Sequence, residues 1–141
     1  MVLEHLNYLA VAVCGIIYFV IGGLWYSPVL FSKTWSAGHK IVMPTNDAEK
    51  AEFRKKMPMQ MITTFVCCMA LTTALACLIS AFYLYTPKAG FKIGLLASVF
   101  SCVPIIMSHS FTGKSLKIIL IDAGYHFIGL IAVGIILSVW K

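Results

Sequence analysis

The chain has 141 residues, 60% of them hydrophobic and 11% charged, with a formal net charge of +6. A soluble domain carries about 25% charged residues, so the composition excludes an ordinary water-soluble fold, and the length leaves no room for a separate soluble domain. The basic residues cluster between apolar blocks, where loop topology accounts for them, and nucleic acid is not an expected partner.

Four apolar blocks predict an all-α polytopic membrane protein, a single domain of four transmembrane helices in an up-down bundle, since about 20 apolar residues cross a bilayer. The first span covers residues 6–30. Glu4 stands where a signal peptide would carry Lys or Arg, and the apolar run outlasts a signal core, so this block reads as a retained first helix. Gly22 and Gly23 permit close helix approach. The string GLWYSPVLFSKTW sets Trp25, Tyr26, Phe31 and Trp35 at the level of an aromatic belt. Pro28, lacking an N–H, is expected to kink or end the helix. A polar connector follows over 34–57, with a short solvated helix expected at Asp47–Met57. Asn46 followed three residues later by Glu49 resembles a capping box, and Phe53 is that helix's apolar anchor at the membrane surface.

The second span, 59–85, is long enough to tilt, and Gln60, Thr63, Thr64, Cys67 and Cys68 make its first half the more polar one. TPKAG (Thr86–Gly90) reads as a tight turn. The third span, 91–109, follows, with Gly90 and Gly94 in G-x-x-x-G spacing and Pro104 inside it. The fourth span covers 116–140, where Gly124 and Gly129 read as close-packing sites and Trp140 as an interfacial anchor.

Lys33, Lys40, Lys50, Arg54, Lys55, Lys56, Lys114 and Lys117 fall in the first and third connections, and Lys88, Lys92 and Lys141 on the other side. Positive residues favour the cytoplasm. The expected placement is therefore the cell (inner) membrane, with basic loops cytoplasmic and both termini outside. The five cysteines all lie in apolar blocks without metal-ligand spacing, so neither a disulfide framework nor a zinc site is expected. FTGKS is not a phosphate loop, because Ser108 stands where that motif requires Gly.

The polar residues inside these blocks carry the functional reading. Asp122 costs about 2.5–3.5 kcal/mol at mid-helix on insertion scales, so it should face protein or trapped water. His126, four residues on, shares its helical face. His109, Tyr26, Gln60 and Thr64 lie at a similar depth, and together these six form an expected intramembrane polar cluster. Asp122 could snorkel toward Lys114 or Lys117, accept hydrogen bonds from Tyr26, Thr64 or His109, or carry a proton. His109, Asp122 and His126 also have the composition of a two-His-one-carboxylate iron site. Asp-x-x-x-His alone supplies only two ligands, so no metal, cofactor or catalytic residue is assigned. The outer half lacks such groups, which argues against a simple channel.

The strings GLWYSPVLFSKTW and SFTGKSLKIILIDAGYHFIGL resemble those of the family of small membrane proteins known as DUF1761, a domain of unknown function. The specific parts are Trp25-Tyr26-Ser27-Pro28 and Asp122-Ala123-Gly124-Tyr125, and the resemblance runs over essentially the whole chain. It implies a four-helix integral membrane protein and no particular activity. The expected function is a structural or accessory subunit that self-associates or docks on a larger membrane complex, Gly90 and Gly94 offering a packing face. The alternatives are a small homo-oligomeric transporter or permeation unit with a polar site around Asp122 and His126, and an intramembrane enzyme or cofactor binder. Enzymatic activity is the least favoured.

Overall fold

Side-chain caps start three of the five helices among the described residues. In the computed structural model, which describes residues 6–41 and 44–140, Asn7 opens the first helix, its Oδ1 accepting the Ala10 N–H at 3.0 Å. The helices are α1 (Tyr8–Trp25), α2 (Ser32–Gly38), α3 (Asp47–Ala81), α4 (Pro87–Phe111) and α5 (Leu116–Val139), with no strand among the described residues. Four of them, α1, α3, α4 and α5, are long and apolar enough to cross a membrane. Glu4 and Lys141, which entered the reading of the first block and of the loop charges, lie outside the described residues.

Several boundaries differ from the sequence expectation, each for a local reason. The first span stops at Trp25 rather than residue 30 because the chain turns before Pro28. The Phe31 N–H returns to the Trp25 carbonyl at 3.2 Å and the Ser32 N–H to Ser27 at 3.2 Å. The turn leads directly into α2, a helix the sequence reading did not anticipate. It closes through Lys40 in the left-handed region (φ 54°), which brings the Ile41 N–H to the Ser36 carbonyl at 3.0 Å. The short helix expected at 47–57 and the second span are one continuous helix, α3, with Pro58 inside it. Asn46 caps it, accepting the Glu49 N–H at 2.8 Å. The Glu49 carboxylate accepts the N–H of Thr45, one residue before the cap, at 2.9 Å.

TPKAG is a helix start rather than a turn. Thr86 is the N-cap of α4, accepting the Ala89 N–H at 3.2 Å, and Pro87 takes the first helical position, where its missing N–H costs nothing. Gly113 (φ 63°) ends that helix and lets the Lys114 N–H reach the His109 carbonyl at 3.0 Å.

α5 is the hub: it packs against α1, α2, α3 and α4. Its closest neighbour is α4, where Gly90 and Gly94 of α4 and Gly134 of α5 let the backbones come together. A methyl added at Gly94 would lie 2.6 Å from the Leu130 carbonyl oxygen, and one at Gly134 would lie 2.6 Å from the Gly90 carbonyl oxygen. Gly90 and Gly94 are therefore buried within the chain against α5, and the expectation that they form a face toward other subunits does not fit. Gly22 faces the Tyr125 ring, Gly124 the Trp25 indole and Gly129 the Tyr18 ring, whereas Gly23 meets nothing within 4 Å. Cys14, Tyr18, Leu75, Leu130 and Val133 form the innermost packing, each at most 2% exposed. By contrast, residues 45–67 of the connector and α3 are all exposed.

Candidate functional site

The first turn of the Trp25–Ser32 reversal and the short α2 fold back over the end of α1 toward α5. Two aromatic residues expected in a membrane belt consequently point inward. Trp25 Nε1 donates to the Ile121 carbonyl at 2.9 Å, and Trp35 Nε1 donates to Asp122 Oδ1 at 2.8 Å. Trp35 and His39 are four apart, so one face of α2 and its C-cap presents both. α4 brings in His109 from its last turn, and α5 supplies Asp122 from its second.

Asp122 is 9% exposed and its carboxylate is fully committed. Oδ1 accepts the Tyr26 hydroxyl at 3.0 Å and the Trp35 indole N–H at 2.8 Å. Oδ2 accepts His39 Nε2 at 3.1 Å and His109 Nε2 at 2.6 Å. A carboxylate offers about four lone-pair sites, and here each has a donor. The donors come from the end of α1, from α2 and from α4. One acid thus ties three segments to α5, and each charge-assisted bond is worth about 1.5–3 kcal/mol gross of screening. Tyr26 and Trp35 also meet ring to ring, with centroids 5.2 Å apart, as do Trp35 and His39 at 4.7 Å.

Of the six residues expected in the polar cluster, the structure brings three together: Asp122, His109 and Tyr26. His126 lies about 6 Å further along the helix axis and is hydrogen-bonded through Nδ1 to the Tyr18 hydroxyl at 2.6 Å. It belongs to a second, deeper layer in which the Tyr125 hydroxyl donates to the Tyr18 carbonyl at 3.4 Å and meets Cys68 Sγ at 3.4 Å. Gln60 and Thr64 stay outside: both are exposed. The Thr64 hydroxyl is satisfied by its own helix, donating to the Gln60 carbonyl at 2.8 Å. Lys114 does not pair with Asp122; its Nζ donates to the Gly38 carbonyl at 2.9 Å and holds the end of α2.

The sequence reading missed Trp35 as a polar partner and missed His39 altogether. Their four-residue spacing just beyond Tyr26 was the available signal. With His39 in place of His126, the two-imidazole-one-carboxylate composition reappears on different residues. His39, His109 and Asp122 each offer one ligand atom, and these atoms all lie within 4.8 Å of one another.

The fold and this cluster define an all-α chain with four membrane-length helices, three of which, α1, α4 and α5, are joined with the short α2 at one carboxylate. Residues 9–138 match the model of a family described as a protein of unknown function (DUF1761), and the chain belongs to that family. No curated protein and no solved structure matches it.

Proposed function

We propose that the chain is an integral protein of the cell (inner) membrane and works as a structural or accessory subunit. Its four spans run up and down as one bundle, with termini outside and basic connections cytoplasmic. The distribution of Lys and Arg supports this orientation, since eight fall in the first and third connections. It puts the Asp122 cluster in the cytoplasmic half, where α2 lies across the end of the bundle.

The observation that carries the accessory reading is the exposed first half of α3. Met59, Ile62 and Val66 are 68%, 58% and 57% exposed, which lipid alone would tolerate. Gln60 among them is a polar amide on the same exposed stretch, and an amide in hydrocarbon is better satisfied against another helix. The partner is a second copy of this chain or another membrane subunit. A permeation path through one chain finds little support. A cavity of about 230 Å³ opens at the other end of α1 and α5, lined by Asn7, Val11, Ile79 and Leu137 among others. Between it and Asp122 lie Cys14, Tyr18, Leu130 and Val133, packed to at most 1% exposure.

Native mass spectrometry of the chain extracted from its membrane in mild detergent tests the reading, together with disulfide crosslinking through Gln60→Cys. A multiple of the chain mass, or additional subunit masses, with crosslinks at position 60 is the expected result. A monomer with no crosslink overturns it.

A further inference from the structure

We propose that His39, His109 and Asp122 bind one divalent first-row transition ion, a site that goes beyond the accessory role and does not depend on it. The division of labour on the Asp122 carboxylate is the central observation. Oδ1 is taken by Trp35 Nε1 and Tyr26 Oη, two donors that act as outer supports. Oδ2 meets only imidazole Nε2 atoms, at 3.1 Å from His39 and 2.6 Å from His109. An ion that replaces the two Nε2 protons therefore leaves both Oδ1 bonds intact, and these fix the orientation of the ligand oxygen as outer-shell partners do in metal sites.

Two neighbouring ligands at about 2.0–2.1 Å from a common ion stand roughly 2.8–3.4 Å apart in octahedral or tetrahedral geometry. The His39–Asp122 separation of 3.1 Å already fits. The His109–Asp122 separation of 2.6 Å needs to open by a few tenths of an ångström. The three side chains are 22%, 18% and 12% exposed, so the ligand set is not sealed from solvent. Two imidazoles and one carboxylate suit Zn²⁺, Fe²⁺, Co²⁺ or Ni²⁺ over Mg²⁺ or Ca²⁺, which prefer all-oxygen shells. Three protein ligands leave a fourth position for water, the pattern of an open rather than a closed zinc centre. The adverse charge nearby is Lys114, whose ammonium is fixed on the Gly38 carbonyl at 2.9 Å and not on the carboxylate. His39 sits on α2, His109 on α4 and Asp122 on α5, so the ion would also fasten α2 over the bundle end.

The test uses the untagged full-length chain, washed with chelator and titrated with Zn²⁺ in competition with a chromophoric chelator. One equivalent per chain is expected. His39→Gln and His109→Gln should each weaken binding by more than tenfold, and Trp35→Phe by about 10–100-fold through the outer shell. His126→Gln should leave it unchanged. Co²⁺ in place of Zn²⁺ should give the intense visible absorption of a four-coordinate site, lost in His39→Gln. Thermal unfolding of each variant shows whether it is folded, and His39, near the end of α2, is the substitution least able to disturb the spans. The proposal is overturned if the folded chain takes up no stoichiometric Zn²⁺, or if His39→Gln and His109→Gln bind as tightly as the parent. Neither result touches the oligomer measurement, so the two readings fail separately.

Discussion

The Asp122 cluster and the first half of α3 show two fates for polar residues in an apolar chain. At Asp122, Tyr26, Trp35, His39 and His109 converge on one acceptor. Along residues 45–67, every side chain is exposed, and Thr63 and Thr64 turn their hydroxyls back to the Met59 and Gln60 carbonyls at 2.9 and 2.8 Å. The contrast is one of range. A carboxylate cannot be satisfied by its own helix and must recruit distant donors, so it organises tertiary structure. A threonine hydroxyl can use a carbonyl one turn back, so it constrains nothing beyond its helix. The first region is specified by the chain itself, and the second is left for whatever lies beside it.

Breaking the first region should have the largest effect. Asp122→Leu removes the acceptor of four donors, each costing about 1–3 kcal/mol if left unsatisfied and buried. We expect a loss of about 3 kcal/mol or more, read as a large drop in the thermal unfolding midpoint in detergent. Asp122→Asn, which keeps an acceptor, should lose clearly less; equal losses would mean that charge rather than hydrogen bonding holds the segments. Gly94→Leu should come next, at about 1–3 kcal/mol of overpacking, because the added side chain meets the α5 backbone and not a movable side chain. Separation of α4 from α5 can be followed by cysteine crosslinking between them.

The second region should respond weakly. Asn46→Ala removes the cap of α3 and should cost about 1 kcal/mol, confined to the helix start and seen as faster proteolysis between residues 45 and 57. The Glu49 carboxyl is held below its usual range chiefly by the Thr45 N–H. Its contribution is thus complete above the ordinary glutamate pKa and is lost as pH falls through the lowered one, so the same cleavage should accelerate only below the ordinary glutamate range. Gln60→Leu should be the smallest change in monomer stability, within about 0.5 kcal/mol, while reducing assembly. If it instead destabilised the monomer, the contrast between the two regions would collapse.

This difference in range also explains what the sequence could tell. Asp122, His109 and Tyr26 were readable because polar residues are rare in apolar blocks and these three share a depth. Gln60 and Thr64 met the same criterion, but depth says nothing about which side of a helix faces protein, and the buried part of α3 starts only at Cys68. His126 was linked to Asp122 by the four-residue rule. Its actual partner, Tyr18, is 108 residues away, within the apolar first block, where no short-range spacing points to it. α2 escaped because seven residues, SKTWSAG, are too few to show a period, and its lock on Asp122 is a contact across 87 residues from Trp35. The long apolar helices, set by length and hydropathy, needed no such partner and were legible in number and order, though not at their ends.

The connectivity of the Asp122 cluster has a consequence for synthesis. His39 precedes Asp122 by 83 residues, an interval of roughly 4–17 s at about 5–20 residues per second. Throughout that time Trp35 and His39 are in the nascent chain and their acceptor is not. α2 can settle onto α5 only once the last helix has begun to leave the ribosome. A chain truncated before α5 would therefore keep this flap loose, with its indole and imidazole turned to water, and would differ from a finished one at this end of the molecule.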